Sequence, residues 1–111
     1  MVDILGKLMN DQRDNIQIEY RMLYNDLKRL SQYIDDDFFT DMCCIWKRKI
    51  DYHNKKYITF YFNKKKISLY RLLYINFENS LGQDEYIRTL CPNKGLCCNV
   101  RHFQKFKYHK K

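Results

Sequence analysis

The chain has 111 residues, 45 % of them hydrophobic and 31 % charged, with a formal net charge of +8 and five cysteines. That length suits one domain with a modest core. No run of about 18 apolar residues occurs, so no membrane span is expected. No charged-then-apolar leader opens the chain, so the cysteines are expected to stay reduced inside a cell, where metal binding outweighs disulfides. Alanine is absent and Lys, Asn, Ile and Tyr are abundant, the mark of an AT-rich coding genome such as a virus or a parasite carries.

The charge is unevenly placed. Residues 1–41 hold five Lys/Arg against nine Asp/Glu, a net −4, and residues 42–111 hold sixteen against four, a net +12. An acidic segment for assembly or packing (1–41) joined to a basic domain (42–111) is the organisation this predicts. The basic part should attract phosphate-rich partners.

In chain order, residues 4–9 are a short apolar-rich start. Ile16, Tyr20, Leu23, Leu27, Leu30 and Ile34 then recur at spacings of four and three, an a/d seam that predicts one long helix over residues 11–34. Asp35, Asp36 and Asp37 should end it, because carboxylates oppose the macrodipole there. The seam either packs onto its own domain or joins the chain to a second copy or a protein partner. Ile18 and Met22 widen the apolar face and favour packing. Residues 38–50 carry Cys43, Cys44 and the sole tryptophan, Trp46. Residues 56–62 and 66–70, rich in β-branched and aromatic side chains, predict a β-hairpin with a basic tip at 63–65. A helix over 71–79 and a strand over 84–90 follow. The basic, aromatic residues 104–111 form a helix end or a frayed arm.

Cys91, Cys97, Cys98 and His102 fall in the densest stretch of chemistry. A Pro-Asn-Lys-Gly turn at residues 92–95 folds the chain so that Cys91 and Cys97 approach. Two thiolates and an imidazole suit a tetrahedral Zn²⁺ site that lacks one ligand. Cys43 and Cys44 are the remaining cysteines, and spacing favours neither.

In order, Cys43-Cys44-Ile45-Trp46, the hairpin, Tyr70-Arg71-Leu72, Ile87-Arg88-Thr89-Leu90-Cys91 and Cys97-Cys98-Asn99-Val100-Arg101-His102-Phe103 resemble the HNH, or His-Me finger, endonucleases of the zinc-bound His-Cys box kind. The resemblance covers about residues 43–103. It implies an α+β fold in which the long N-terminal helix precedes a zinc-stabilised ββα finger. It also implies structural zinc on Cys43, Cys91, Cys97 and His102. A set using Cys98 fits the family less well, and Asn99 matches the asparagine that holds the finger's loop together. Thr89, however, stands where the family carries its general-base histidine, and a threonine hydroxyl cannot serve as that base near neutral pH. Tyr70 stands where the family often has histidine. The helix that should carry the catalytic metal ligand falls on residues 104–111, with Gln104 and His109 as its candidates.

Zinc ligands kept while the base is lost predict a non-catalytic module that binds nucleic acid, duplex DNA first. Its phosphate contacts would come from Lys47, Arg48, Lys49, Lys64, Lys65, Lys66, Arg71, Arg88, Arg101, Lys105 and Lys107. Two other classes stand beside it. One is an active metal-dependent nuclease whose displaced base is His53 or His109. The other is a zinc-stabilised interaction protein that assembles through the N-terminal seam.

Overall fold

Asp3 opens the first helix, α1 (Ile4–Asp11), by accepting the Gly6 amide at 3.0 Å. The computed structural model describes residues 3–47, 58–93 and 96–108. Helix α2 (Tyr24–Ser31) follows, its start fixed by Asp26, whose carboxylate accepts the Leu23 amide at 2.9 Å. A single 3₁₀ turn (Asp36–Phe39) comes next. Strands β1 (Thr59–Phe62) and β2 (Lys65–Ser68) form an antiparallel hairpin that runs directly into α3 (Leu69–Phe77). Strand β3 (Glu85–Thr89) pairs antiparallel with β4 (Phe103–Lys107), and a second 3₁₀ turn (Val100–His102) leads into β4. The described residues thus make a small α+β fold of three α-helices and two two-stranded sheets.

The hairpin forms where the alternation predicts it, except that Leu69 and Tyr70, expected to end the second strand, open α3 instead. Phe60 and Phe62 are buried and Tyr61 is exposed, as a period of two requires. Asn63 and Lys64 sit at φ 51° and 67°. Two consecutive left-handed residues make the two-residue turn that matches strand twist. Lys56 and Tyr57, where the first strand was expected to open, lie outside the described residues.

The expected helix over residues 11–34 is not one helix. Helix α1 ends at Asp11 and α2 begins at Tyr24, and the residues between them form an irregular loop. The reason is Asn76, on the last turn of α3 and fully buried. Its Oδ1 accepts the Met22 amide at 2.9 Å and the Gln12 side-chain amide at 2.8 Å. Its Nδ2 donates to the Tyr20 carbonyl at 2.9 Å and to the Leu72 carbonyl at 2.8 Å. Arg13 adds its backbone amide to the Asn76 carbonyl at 2.8 Å and its guanidinium to the Ile75 carbonyl. These bonds occupy orphan carbonyls at the C-terminus of α3 and give the loop's backbone partners a helix would have supplied internally.

The seam therefore splits. Ile16 and Tyr20 are half-buried and Leu23 is 66 % exposed, whereas Leu27, Leu30 and Ile34 lie buried in the chain's own core; off the seam, Met22 is buried and Ile18 exposed. A continuous docking face made of Ile16, Tyr20, Leu23, Leu27, Leu30 and Ile34 does not exist. Leu8, Leu27, Leu30 and Phe38 share one hydrophobic cluster with Trp46, Phe60, Leu69, Leu72 and Phe103. The acidic and basic stretches meet in that common core. Of residues 104–111, expected to be a helix end or a frayed arm, Gln104 to Lys107 belong to β4 (Phe103–Lys107) instead. Phe-Gln-Lys-Phe-Lys has no apolar alternation, and it is the ladder with β3 that makes it a strand.

If Asn76 holds the loop in this way, Asn76→Ala should destabilise the fold by about 2–4 kcal/mol. The substitution leaves buried backbone groups unpaired rather than merely deleting one interaction. Urea unfolding followed by far-UV circular dichroism measures it, and a change within about 0.5 kcal/mol, the range of an ordinary surface substitution, contradicts the assignment.

Candidate metal centre

Two segments distant in sequence meet at one end of the sheet formed by β3 and β4. Residues 44–46 run antiparallel to residues 96–98. Cys98 donates its amide to the Cys44 carbonyl at 2.6 Å and Trp46 donates to Leu96 at 3.0 Å, with Ile45 and Cys97 bridged between them. The Leu90 amide donates to the His102 carbonyl at 2.8 Å, which closes the loop carrying Cys91 and Cys97. Within that loop the Asn93 carbonyl accepts the amides of Leu96 and Cys97 at 3.1 and 3.0 Å. Lys94 and Gly95, on which a tight turn was expected, lie outside the described residues.

This closure brings four donors together. The ligating atoms of Cys43, Cys91, Cys97 and His102 all lie within 4.8 Å of one another. His102 Nδ1 is 3.6 Å from Cys43 Sγ and 3.4 Å from Cys97 Sγ. Around a tetrahedral ion with bonds of about 2.3 Å to sulfur and about 2.0 Å to nitrogen, the sulfur–nitrogen edge is about 3.5 Å. The donor set has the spacing a tetrahedral metal requires. All five cysteines are free thiols.

The histidine is already oriented. Its Nε2 lies 2.7 Å from the Asp41 carbonyl, which can only accept. The proton therefore sits on Nε2, and Nδ1 presents a lone pair to the thiols, the arrangement metal-bound histidines adopt. Asn99 fixes the segment that supplies this carbonyl. Fully buried, it donates through Nδ2 to the carbonyls of Asp37, Thr40 and Met42 at 3.0, 2.7 and 2.6 Å. Its Oδ1 accepts the Arg101 amide at 2.9 Å and caps the turn that carries His102.

Cys44 and Cys98 stand apart from the donor set, and both are fully buried. Burial pushes the Cys44 thiol up to about 12 and holds Cys98 well above its ordinary value, so both stay neutral. Cys97 is pushed up to about 11, again by burial. Cys43 moves the other way, because hydrogen bonds from Asn93 and then Cys91 favour its thiolate. A bound dication would override these differences by deprotonating every thiol it coordinates.

Over 113 aligned positions the chain is 41 % identical to uncharacterized protein R328 of Acanthamoeba polyphaga mimivirus, a match that covers 97 % of this chain and 33 % of that protein. The chain thus spans about a third of the length of this relative. No protein-family profile matches the sequence, and no solved structure does. A viral relative agrees with the skewed composition.

The remaining candidate residues divide by what surrounds them. Thr89 is buried in β3 opposite Phe103, whose ring meets that of Tyr70 at 4.6 Å between centroids. His102 is the single described histidine and is taken up by the cluster; His53 and His109 lie outside the described residues, as do Arg48 and Lys49. The helix expected after His102 is replaced by β4, so Gln104 stands exposed on a strand. Arg71 is spent internally, donating to the carbonyls of Glu85 at 2.6 Å and Gly82 at 3.1 Å, which ties α3 to β3. Lys47, Arg101, Lys105 and Lys107 form ion pairs with Asp35, Asp41, Glu85 and Asp84. Arg88 lies over the Tyr86 ring at 5.4 Å from its centroid. Lys64, Lys65 and Lys66 are exposed at the hairpin tip with no carboxylate partner among the described residues. The carbonyl of Asp41 was missed from the sequence, since a backbone acceptor leaves no residue-type signal.

Titration of the reduced protein with a divalent metal in competition with a chromophoric chelator should give about one equivalent bound per chain, as four ligands imply. Cys97→Ser and His102→Ala should lose that equivalent, while Cys44→Ser and Cys98→Ser should keep it. Retention by Cys97→Ser would remove this donor set.

Tyr70 gives a pH prediction. Its hydroxyl is buried without a hydrogen-bond partner, and Thr89 is near enough to favour the phenolate slightly but not in bonding geometry. Burial raises its pKa, so above about pH 10 the unfolded phenol ionises first and stability falls as pH rises. Tyr70→Phe should raise stability at neutral pH by about 1 kcal/mol, by removing an unsatisfied buried hydroxyl. It should also flatten the decline above about pH 10, a difference read from urea midpoints across the alkaline range.

Proposed function

We propose that this chain is a zinc-stabilised, non-catalytic nucleic-acid-binding module on a His-Me finger-like scaffold, with duplex DNA as the first partner to test. Three thiols and an imidazole form a soft donor set, which favours zinc over magnesium or calcium. Zinc held there would act as a structural cross-link between residue 43 and residues 91–102. It would stabilise a small core at four closed positions. The position that corresponds to the family's general base is Thr89, buried under aromatic rings, and this supports binding without hydrolysis.

The observation that carries the nucleic-acid reading is the hairpin tip. Lys64, Lys65 and Lys66 stand exposed on a two-stranded ribbon whose inner face, Phe60 and Phe62, is anchored in the core. Arg29 braces the ribbon from α2, donating to the Tyr61 carbonyl at 2.7 Å and lying over the Phe60 ring at 4.4 Å. A two-stranded ribbon fits the major groove of B-form DNA. The other described lysines named as phosphate contacts face carboxylates; these three do not.

Fluorescence anisotropy with a labelled duplex should show affinity that falls steeply with salt. Replacing Lys64, Lys65 and Lys66 together with Gln should reduce the log–log salt slope by roughly 2–3, since each lysine that neutralises a phosphate accounts for about 0.9 of it. Affinity that is flat in salt, or nicking of supercoiled plasmid with Mg²⁺ by the purified protein, would reject this reading.

A further inference from the structure

The outward face of the β3–β4 sheet carries a second feature, distinct from the hairpin tip. Register places Tyr86 opposite Phe106, and Arg88 opposite Gln104. The alternate positions, Thr89 and Phe103, are buried. Tyr86, Arg88, Phe106 and Tyr108 therefore share the opposite, outward side. Their side chains form a ladder. Tyr86 and Phe106 are stacked, with centroids 5.6 Å apart at 24°, and Tyr86 and Tyr108 lie 4.6 Å apart at 34°. The Arg88 guanidinium sits 5.4 Å from the Tyr86 centroid.

Tyr108 lies one residue beyond β4, yet its amide donates to the Asp84 carbonyl at 2.8 Å, so the backbone holds it in register. Its ring is nonetheless 60 % exposed. A fixed, exposed aromatic at the end of a stack is not explained by the core.

We infer that this ladder is a stacking platform for unpaired nucleobases, with Tyr108 as the open end of the stack and Arg88 supplying positive charge beside it. The inference rests on the nucleic-acid reading and refines it, since it names single-stranded polymer as the ligand of this face. Charge complementarity selects that occupant. Arg88 lies on this face and has no carboxylate partner among the described residues, whereas the nearby carboxylates of Glu85 and Asp84 are paired with Lys105 and Lys107. The ladder holds three rings, Tyr86 against Phe106 and Tyr108, with polar Gln104 on the same side. Aromatic rings with a cation beside them suit successive bases and a phosphate backbone. Duplex DNA cannot use it, because pairing and stacking already cover its base faces.

Anisotropy with the full chain at one salt concentration tests this on three probes of equal length: an oligo-deoxythymidine strand, an abasic strand and a duplex. The wild-type protein should bind the base-bearing strand about ten- to hundred-fold more tightly than the abasic strand, as one or more stacked bases imply. Tyr108→Ala should bring that ratio close to one and Tyr108→Trp should preserve it, while neither variant changes duplex affinity. A wild-type ratio near one, or a ratio that Tyr108→Ala leaves intact, overturns the platform. The Lys64, Lys65 and Lys66 replacement separates the two ideas, because it should weaken duplex binding and leave the ratio of base-bearing to abasic strand unchanged. If it does so while the ratio stays at one, the platform fails and the nucleic-acid reading stands. If no probe binds, both fail.

Discussion

The Asn99 side chain reaches across more than fifty residues of sequence to share its amide hydrogens among the carbonyls of Asp37, Thr40 and Met42. Everything chemical in the fold depends on that reach. Those carbonyls belong to a segment with no ladder of its own, and burying them unpaired would cost several kcal/mol in total. With Asn99 in place, the segment is fixed, Asp41 presents its carbonyl to His102, and Cys43 arrives beside Cys91 and Cys97. A metal bound there would then tighten a geometry that hydrogen bonds already define.

Asn76 plays the same part at the other end of the core. Both asparagines are fully buried, and each hydrogen-bonds to backbone groups of distant segments. The correspondence has a physical source. A chain of this length buries a limited apolar area, and its helices are short, eight or nine residues each. Long stretches of irregular backbone must still pass close to the core. An asparagine amide offers a donor and an acceptor in one compact group, so it can satisfy carbonyls and amides from two passing segments at once. The cost is intolerance: an aspartate or leucine at either position would leave donors or acceptors stranded.

These two residues also explain what could be read from the sequence. The hairpin, α3 and β3 were legible because alternation, left-handed turn residues and apolar runs act over a few positions. Cys91, Cys97 and His102 were legible because cysteine and histidine are rare and carry chemistry at characteristic spacing, whereas spacing could not choose between Cys43 and Cys44 for the fourth donor. The break between α1 and α2 was not. Periodicity over residues 16–34 is real, and its second half is honoured by Leu27, Leu30 and Ile34. Its first half yields to Asn76, sixty residues from Ile16, and no local pattern reports such a bond. Strand β4 was hidden for the same reason, since its residues show no apolar alternation and its pairing partner, β3, lies beyond the metal loop.

Charge shows the limit of composition most clearly. A strongly basic chain invites each lysine and arginine to be assigned to phosphate, yet geometry sorts them into different kinds of work. Arg71 closes α3 onto β3 through carbonyls, and Lys105 and Lys107 face Glu85 and Asp84. Exposed pairs of that kind contribute about 0–1 kcal/mol to stability, but they cancel the field along that edge of the sheet. Among the described residues proposed to contact phosphate, and with Arg71 spent on carbonyls, Lys64, Lys65, Lys66 and Arg88 are the ones left without a carboxylate partner. Attraction to a polyanion follows the uncancelled charge rather than the total. If the chain binds a polyanion as proposed, the carboxylates of Asp84 and Glu85 would help to set which faces recruit it by neutralising Lys107 and Lys105.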